Sequence, residues 1–107
     1  MALRRDGSAA VLTLAGDFDM HTVQSVAQPV EELLQDPPED LVVDLSGVDF
    51  IDSSGIALLV KVYTRVVREG DGTMRVDRTS PVARRLLEVC GLLETFGIDG
   101  RGPQPAG

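Results

Sequence analysis

The sequence predicts a single α/β domain, a mixed four- to five-stranded sheet with helices packed mainly on one face. Three observations carry that expectation. At 107 residues the chain can bury one modest core but not two. Its apolar residues switch between a period of two and a period of three to four in the order ββαβαβα. Strands joined through helices in that order follow the right-handed crossover rule, which sets those helices on one face of the sheet. No internal repeat and no second domain interrupt the pattern.

The elements follow in order. Residues 2–5 suit a short edge strand, Asp6-Gly7 is a turn signal, and residues 9–15 read as the antiparallel partner, making a hairpin. From Thr22, a plausible N-cap, Val23, Val26, Ala27, Val30, Leu33 and Leu34 recur at helical spacing until Asp36-Pro37-Pro38 stops them. Pro29 inside that helix removes a backbone hydrogen bond and crowds the preceding turn, so a kink is expected there. Residues 41–45, Leu-Val-Val-Asp-Leu, read as a central strand buried on both faces.

A second helix carries Ile56, Leu59, Val60, Tyr63, Val66 and Val67 on its inward stripe and ends at Gly70-Asp71-Gly72. Residues 73–77 alternate as a further strand. Ser80 as N-cap with Pro81 at the first helical position opens a third helix. Val82, Ala83, Leu86, Leu87 and Cys90 are expected on one face of it, and Gly91 stops it. Residues 92–96 suit a final helical turn, and Ile98 can add an edge residue. The domain is assigned to residues 1–98. The Gly- and Pro-rich residues 99–107 lack an apolar pattern and read as a disordered tail.

Composition narrows the function. Seventeen acidic against ten basic residues give a formal charge of −7, which repels phosphate backbones and anionic lipid and argues against nucleic-acid or membrane-surface binding. The single cysteine, Cys90, excludes an intrachain disulfide and reads as a small core residue. No stretch has the length and apolarity of a membrane span or a signal segment, and a cytosolic protein is expected. One histidine and one cysteine cannot make a structural zinc set, and the carboxylates lack calcium-loop spacing. No G-x-x-x-x-G-K-[ST] loop is present, so no cofactor is expected. A serine hydrolase would have to pair His21 with Ser53 or Ser54, yet neither serine lies in a G-x-S-x-G elbow, and no catalytic residues are assigned.

The informative stretch is Asp49-Phe50-Ile51-Asp52-Ser53-Ser54-Gly55, where strand hands over to helix. The first N–H groups of a helix have no internal partner and lie at the positive end of its dipole. Asp52 or Ser53 can cap them, and the same donors can hold a phosphate esterified to a serine. On the helix that follows, Lys61, Arg65 and Arg68 line the outward face. Leu58 and Val62 border it, and Leu58, off the main stripe, is a candidate to face a partner.

Asp44-Leu45-Ser46-Gly47-Val48-Asp49-Phe50-Ile51-Asp52-Ser53-Ser54-Gly55-Ile56 closely resembles the signature of the anti-sigma factor antagonists, bacterial single-domain proteins of the STAS class. Gly16-Asp17-Phe18-Asp19-Met20-His21-Thr22, and the stretch from Ser80-Pro81-Val82 to Val89-Cys90-Gly91-Leu92, are similar to that family too, so the resemblance spans residues 3–98 in register. It implies a STAS-type fold and a non-enzymatic switch. Ser53 corresponds to the phosphorylated serine, with Ser54 as the fallback. The partners it implies are an anti-sigma factor with serine kinase activity, bound by the unphosphorylated form, and a serine phosphatase that resets Ser53. Asp19, Met20, His21, Asp52, Ser53, Ser54, Gly55 and Leu58 form the implied partner-binding set, and Asp17 shares the acidic turn. Two departures stand out: Ile56-Ala57 replaces the usual Leu-Gly, and Met20 replaces a histidine. The alternative is a STAS docking module of a stress-sensing complex or a transport system.

Overall fold

Alternating apolar side chains on three parallel strands build one inward wall, and the register shows it directly. Ala10, Leu41 and Met74 form one row across the sheet, and Leu12, Val43 and Val76 the next, all of them buried. The computed structural model describes residues 1–98; the tail expected at 99–107 lies outside the described residues. The strands are β1 (Ala2–Asp6), β2 (Ala9–Phe18), β3 (Asp40–Ile51) and β4 (Thr73–Thr79), in spatial order β1-β2-β3-β4. β1 is antiparallel to β2, while β2, β3 and β4 are mutually parallel, so the sheet is mixed and four-stranded.

The helices are α1 (Met20–Gln35), α2 (Ser53–Tyr63) and α3 (Pro81–Val89), and α2 continues into a wider π-helical turn at Thr64–Arg68. Val26, Val30 and Leu34 of α1, Ile56, Leu59 and Val62 of α2, and Ala83 and Leu87 of α3 join the inward rows in a single core. Side chains such as Leu59 and Leu87, wholly buried, each stabilise the fold by about 1.5 to 3 kcal/mol relative to exposure. The final turn closes over the free edge of β4. Its Phe96 carbonyl accepts from the Val76 N–H at 2.7 Å, and the Phe96 ring packs 5.7 Å from that of Tyr63. The last turn of α1 has no basic residue of its own, and Arg5 from β1 donates to the Asp36 carbonyl there at 2.6 Å.

Several expectations are corrected. β3 is covered on one face only, with Val42 and Asp44 half-buried on the other, because all three helices pack against the same side. It also runs on through Ser46-Gly47 to Ile51, paired with a lengthened β2 across two register shifts that absorb the polar residues. The N-cap of α1 is Asp19 rather than Thr22. Pro29 lies inside α1, which runs on to Gln35, so the proline does not end the helix.

Leu58 and Val62, placed at the outward border, are buried, whereas Val60 is exposed. α1 lies over the flank of α2 that carries Leu58, which leaves the Val60 side open. Cys90 is exposed rather than in the core, because it is the C-cap residue. Beyond it Gly91, at φ +74°, turns the chain away. The Leu92 N–H then bonds to the Leu87 carbonyl and the Gly91 N–H to that of Glu88, the pairing of a Schellman stop.

Candidate functional site

The site is built where two parallel strands end together. Asp17 of β2 pairs with Phe50 of β3, and Phe18 with Ile51, so the acidic turn and the serine loop leave the same sheet edge side by side. The Asp52 N–H reaches the Phe18 carbonyl at 3.4 Å and joins the two turns directly. In parallel α/β sheets this carboxyl end is where ligands and partners find free helix N-termini.

Each turn is capped by an aspartate in extended backbone. Asp19 accepts at Oδ1 from the Thr22 N–H at 3.1 Å, and the Thr22 hydroxyl, which donates to the Asp17 carbonyl at 2.6 Å, lies 3.3 Å from the same carboxylate. The Thr22 N–H is the main reason the Asp19 carboxyl is held below its ordinary value, with the hydroxyl and the nearby His21 adding to it. Asp52 accepts at Oδ1 from the Ser54 N–H at 2.9 Å and the Gly55 N–H at 3.2 Å. The cap left open between Asp52 and Ser53 is therefore Asp52.

That assignment changes what the serines can do. Two of the first three N–H groups of α2 are held by the Asp52 carboxylate in the unphosphorylated chain, so a phosphate on Ser53 has to displace or share that cap to use them. Ser53 itself is exposed, the first residue of the helix, with its hydroxyl free of the cap. Ser54 is half-buried. It lines an apolar groove of about 370 Å³ between α1 and α2, together with Val23, Ala27, Val30, Ala57 and Leu58. Leu58 thus reaches a surface only as a wall of that groove, being 8% exposed.

Gly55 is fixed by packing. A Cβ there would sit 2.7 Å from the Phe18 ring and 2.8 Å from both the Phe18 carbonyl oxygen and the Ile51 side chain, so only glycine lets α2 start this close to the two strand ends. Met20 and His21 are exposed at the start of α1, beside this junction. Asp44, near Ser53 in sequence, is occupied locally. Its carboxylate accepts from the Ser46 N–H at 2.9 Å, which with the Ser46 hydroxyl and Arg78 lowers its proton affinity.

Lys61 and Arg65 do more than solvate a helix face. Lys61 pairs with Glu31 of α1, and Arg65 donates to the Leu34 carbonyl at 3.2 Å, so they tie α2 and its π-helical extension to α1. The sequence reading also missed a group near the serines. Phe50, Val82 and Val89 are exposed around a groove between the end of β3 and α3. The spacing of Val82, Leu86 and Val89 was its available signal, hidden because Ala83 and Leu87 supply a second and better-buried stripe. Among the described residues no group of three or more His, Cys, Asp or Glu is placed to hold a metal ion, and no helix is long and apolar enough to cross a membrane.

A four-stranded mixed sheet backed on one face by helices, with an Asp-Ser-Ser-Gly helix start at its carboxyl edge, is the architecture of a STAS domain, and a family model described as "Mlab, STAS domain" matches residues 1–97. An anti-sigma F factor antagonist of Paenibacillus polymyxa is 32% identical over 89 residues, 82% of this chain and 75% of that protein. The anti-sigma-F factor antagonist RsfB of Mycobacterium tuberculosis is 32% identical over 92 residues, 83% of this chain and 71% of RsfB. The crystal structure of an anti-sigma factor antagonist from Mycobacterium paratuberculosis superposes with a TM-score of 0.78 at 30% identity, over 91% of this chain and 81% of that one. The chain belongs to the anti-sigma factor antagonist family of STAS domains.

Proposed function

We propose that this protein is an anti-sigma factor antagonist that works as a partner switch. Unphosphorylated, it binds an anti-sigma factor, itself a serine kinase, and so frees the sigma factor; phosphorylation of Ser53 ends the binding, and a serine phosphatase restores it. The names of the relatives support the partner class. The observation that carries the choice of residue is the exposed Ser53 hydroxyl at the first position of α2, next to a cap already filled by Asp52. Ser54, half-buried against the α1–α2 groove, is the poorer acceptor for a kinase.

The switch is electrostatic. A phosphate adds about −1.5 to −2 charges near neutral pH. At Ser53 that charge meets Asp52 within the loop and the neighbouring acidic turn of Asp17 and Asp19, with two of the leading helix donors already engaged. The phosphate therefore projects from the surface instead of folding into the helix start. A partner surface that closed over a neutral hydroxyl then has to desolvate the phosphate or withdraw, and each 1.4 kcal/mol of lost fit lowers affinity about tenfold.

Intact-mass analysis of the protein isolated from its host, followed by peptide mapping, tests the reading. One phosphate on Ser53 that disappears in a Ser53→Ala protein is expected. A protein left unmodified in both resting and stressed cells, or modified only at Ser54, would reject the assignment.

A further inference from the structure

A helix needs one apolar stripe to join a core, and α3 carries two. Ala83 and Leu87 are wholly buried against the sheet. Val82, Arg85, Leu86 and Val89 stand at i, i+3, i+4 and i+7 on another face, and with Phe50 and Ile51 of β3 they line a groove of about 240 Å³. Phe50 is 47% exposed, Val82 41% and Val89 76%. Folding leaves these three exposed, while Leu86 between them packs half-buried against the core and Ile51 is buried. Exposed apolar side chains scattered singly are ordinary, but three large ones gathered round a single groove mark a contact surface.

Position and charge say what covers it. The groove begins at Phe50-Ile51, the two residues directly before Asp52-Ser53, so it continues the serine loop away from the acidic turn. Arg85 lines it. Arg5, Lys61, Arg65 and Arg75 each have a carboxylate partner; Arg4, Arg68, Arg84 and Arg85 have none among the described residues, and of these four only Arg85 lines the groove. A free guanidinium beside an apolar groove, in a chain of net charge −7, complements a carboxylate flanking an apolar side chain.

We propose that the Phe50–α3 groove is a second docking site for the anti-sigma factor. It receives an apolar side chain of that protein, with an adjacent carboxylate of the partner on Arg85, while Ser53 and the acidic turn are covered by the same partner. The inference rests on the partner-switch reading. It deepens that reading by making the contact two-part: a regulated half at Ser53 and a constitutive half on α3. Burying three exposed apolar side chains supplies affinity that does not depend on the hydroxyl of Ser53.

The test uses the anti-sigma factor recovered with the full-length wild-type chain, purified and titrated against variants. Val82→Ser/Val89→Ser and Arg85→Glu should each bind at least tenfold more weakly, with unfolding midpoints unchanged because these side chains are solvent-facing. Reversing the charge of one carboxylate on the partner should restore binding to Arg85→Glu. Variants that bind like wild type while Ser53→Asp does not would overturn the groove and leave the switch standing. Loss of binding in the groove variants with Ser53→Asp unaffected would do the opposite. Recovery of no anti-sigma factor, or a groove that proves to be a contact between two copies of this chain in sedimentation, would overturn the proposal.

Discussion

At the scale of single residues, Gly55 and Asp19 set how the two helix starts are held. A methyl on Gly55 meets a backbone oxygen, that of Phe18, at 2.8 Å, and backbone cannot swing aside as a flexible side chain can. Overpacking of this kind costs about 1 to 3 kcal/mol, against roughly 1 kcal/mol that alanine gains over glycine within a helix. Gly55→Ala is therefore expected to lower stability in urea unfolding, and a variant as stable as wild type would show that α2 can back away from the strands. Asp19 makes a different prediction. Its carboxyl is held below the ordinary 3.8, chiefly by the Thr22 N–H, so the folded state binds that proton less readily than the unfolded chain. The stabilisation is fully present above the unfolded value and is lost as pH falls through the lower folded one. The stability advantage of wild type over Asp19→Asn should shrink as acid is added below 3.8, and a difference that stays constant with pH would deny the charge any part in the cap.

At the scale of elements, α1 accommodates a proline that its sequence pattern disfavours. Pro29 has no N–H to offer the Ser25 carbonyl, yet the helix continues to Gln35 because Val30, Leu33 and Leu34 beyond it are buried. Replacing Pro29 by alanine should stabilise the protein, by up to about 3 kcal/mol, as read from the denaturation midpoint; a loss of stability would mean that the proline ring itself is needed in the packing. The same tension explains what could be read from the sequence. Helix and strand order, the stop at Gly91, and the Ser80-Pro81 start were legible because each depends on residues only a few positions apart. The length of β3 was not. Ser46, Gly47 and Asp49 look like loop residues locally, and only pairing with β2 keeps them in a strand. Leu58 and Val60 exchanged roles for a similar reason, since which flank of α2 is covered depends on where α1 lies. The neighbourhood of Ser53 was legible as a motif, but the occupation of its helix donors by Asp52 was not, because capping propensity does not separate Asp52 from Ser53.

At the scale of the whole molecule, the placement of Ser53 separates two ways of switching. In one, a phosphate reorganises the fold and binding is lost because the surface changes shape. In the other, the fold stands and the added charge alone is rejected by the partner. Ser53 is exposed, its helix start is already capped by Asp52, and the core beneath is closed by Gly55 against Phe18 and Ile51. Nothing in that arrangement gives a new negative charge a reason to rearrange the domain. Ser53→Asp should therefore unfold within about 0.5 kcal/mol of wild type, the range of ordinary surface substitutions. Its affinity for the anti-sigma factor should fall at least tenfold, while Ser53→Ala keeps both stability and binding. The two readouts together decide between the mechanisms. Parallel losses of stability and binding in Ser53→Asp would point to a conformational switch within the domain. Unchanged stability with lost binding would place the switch at the interface itself, where a chain that already carries a net charge of −7 presents one more charge at the loop it offers to its partner.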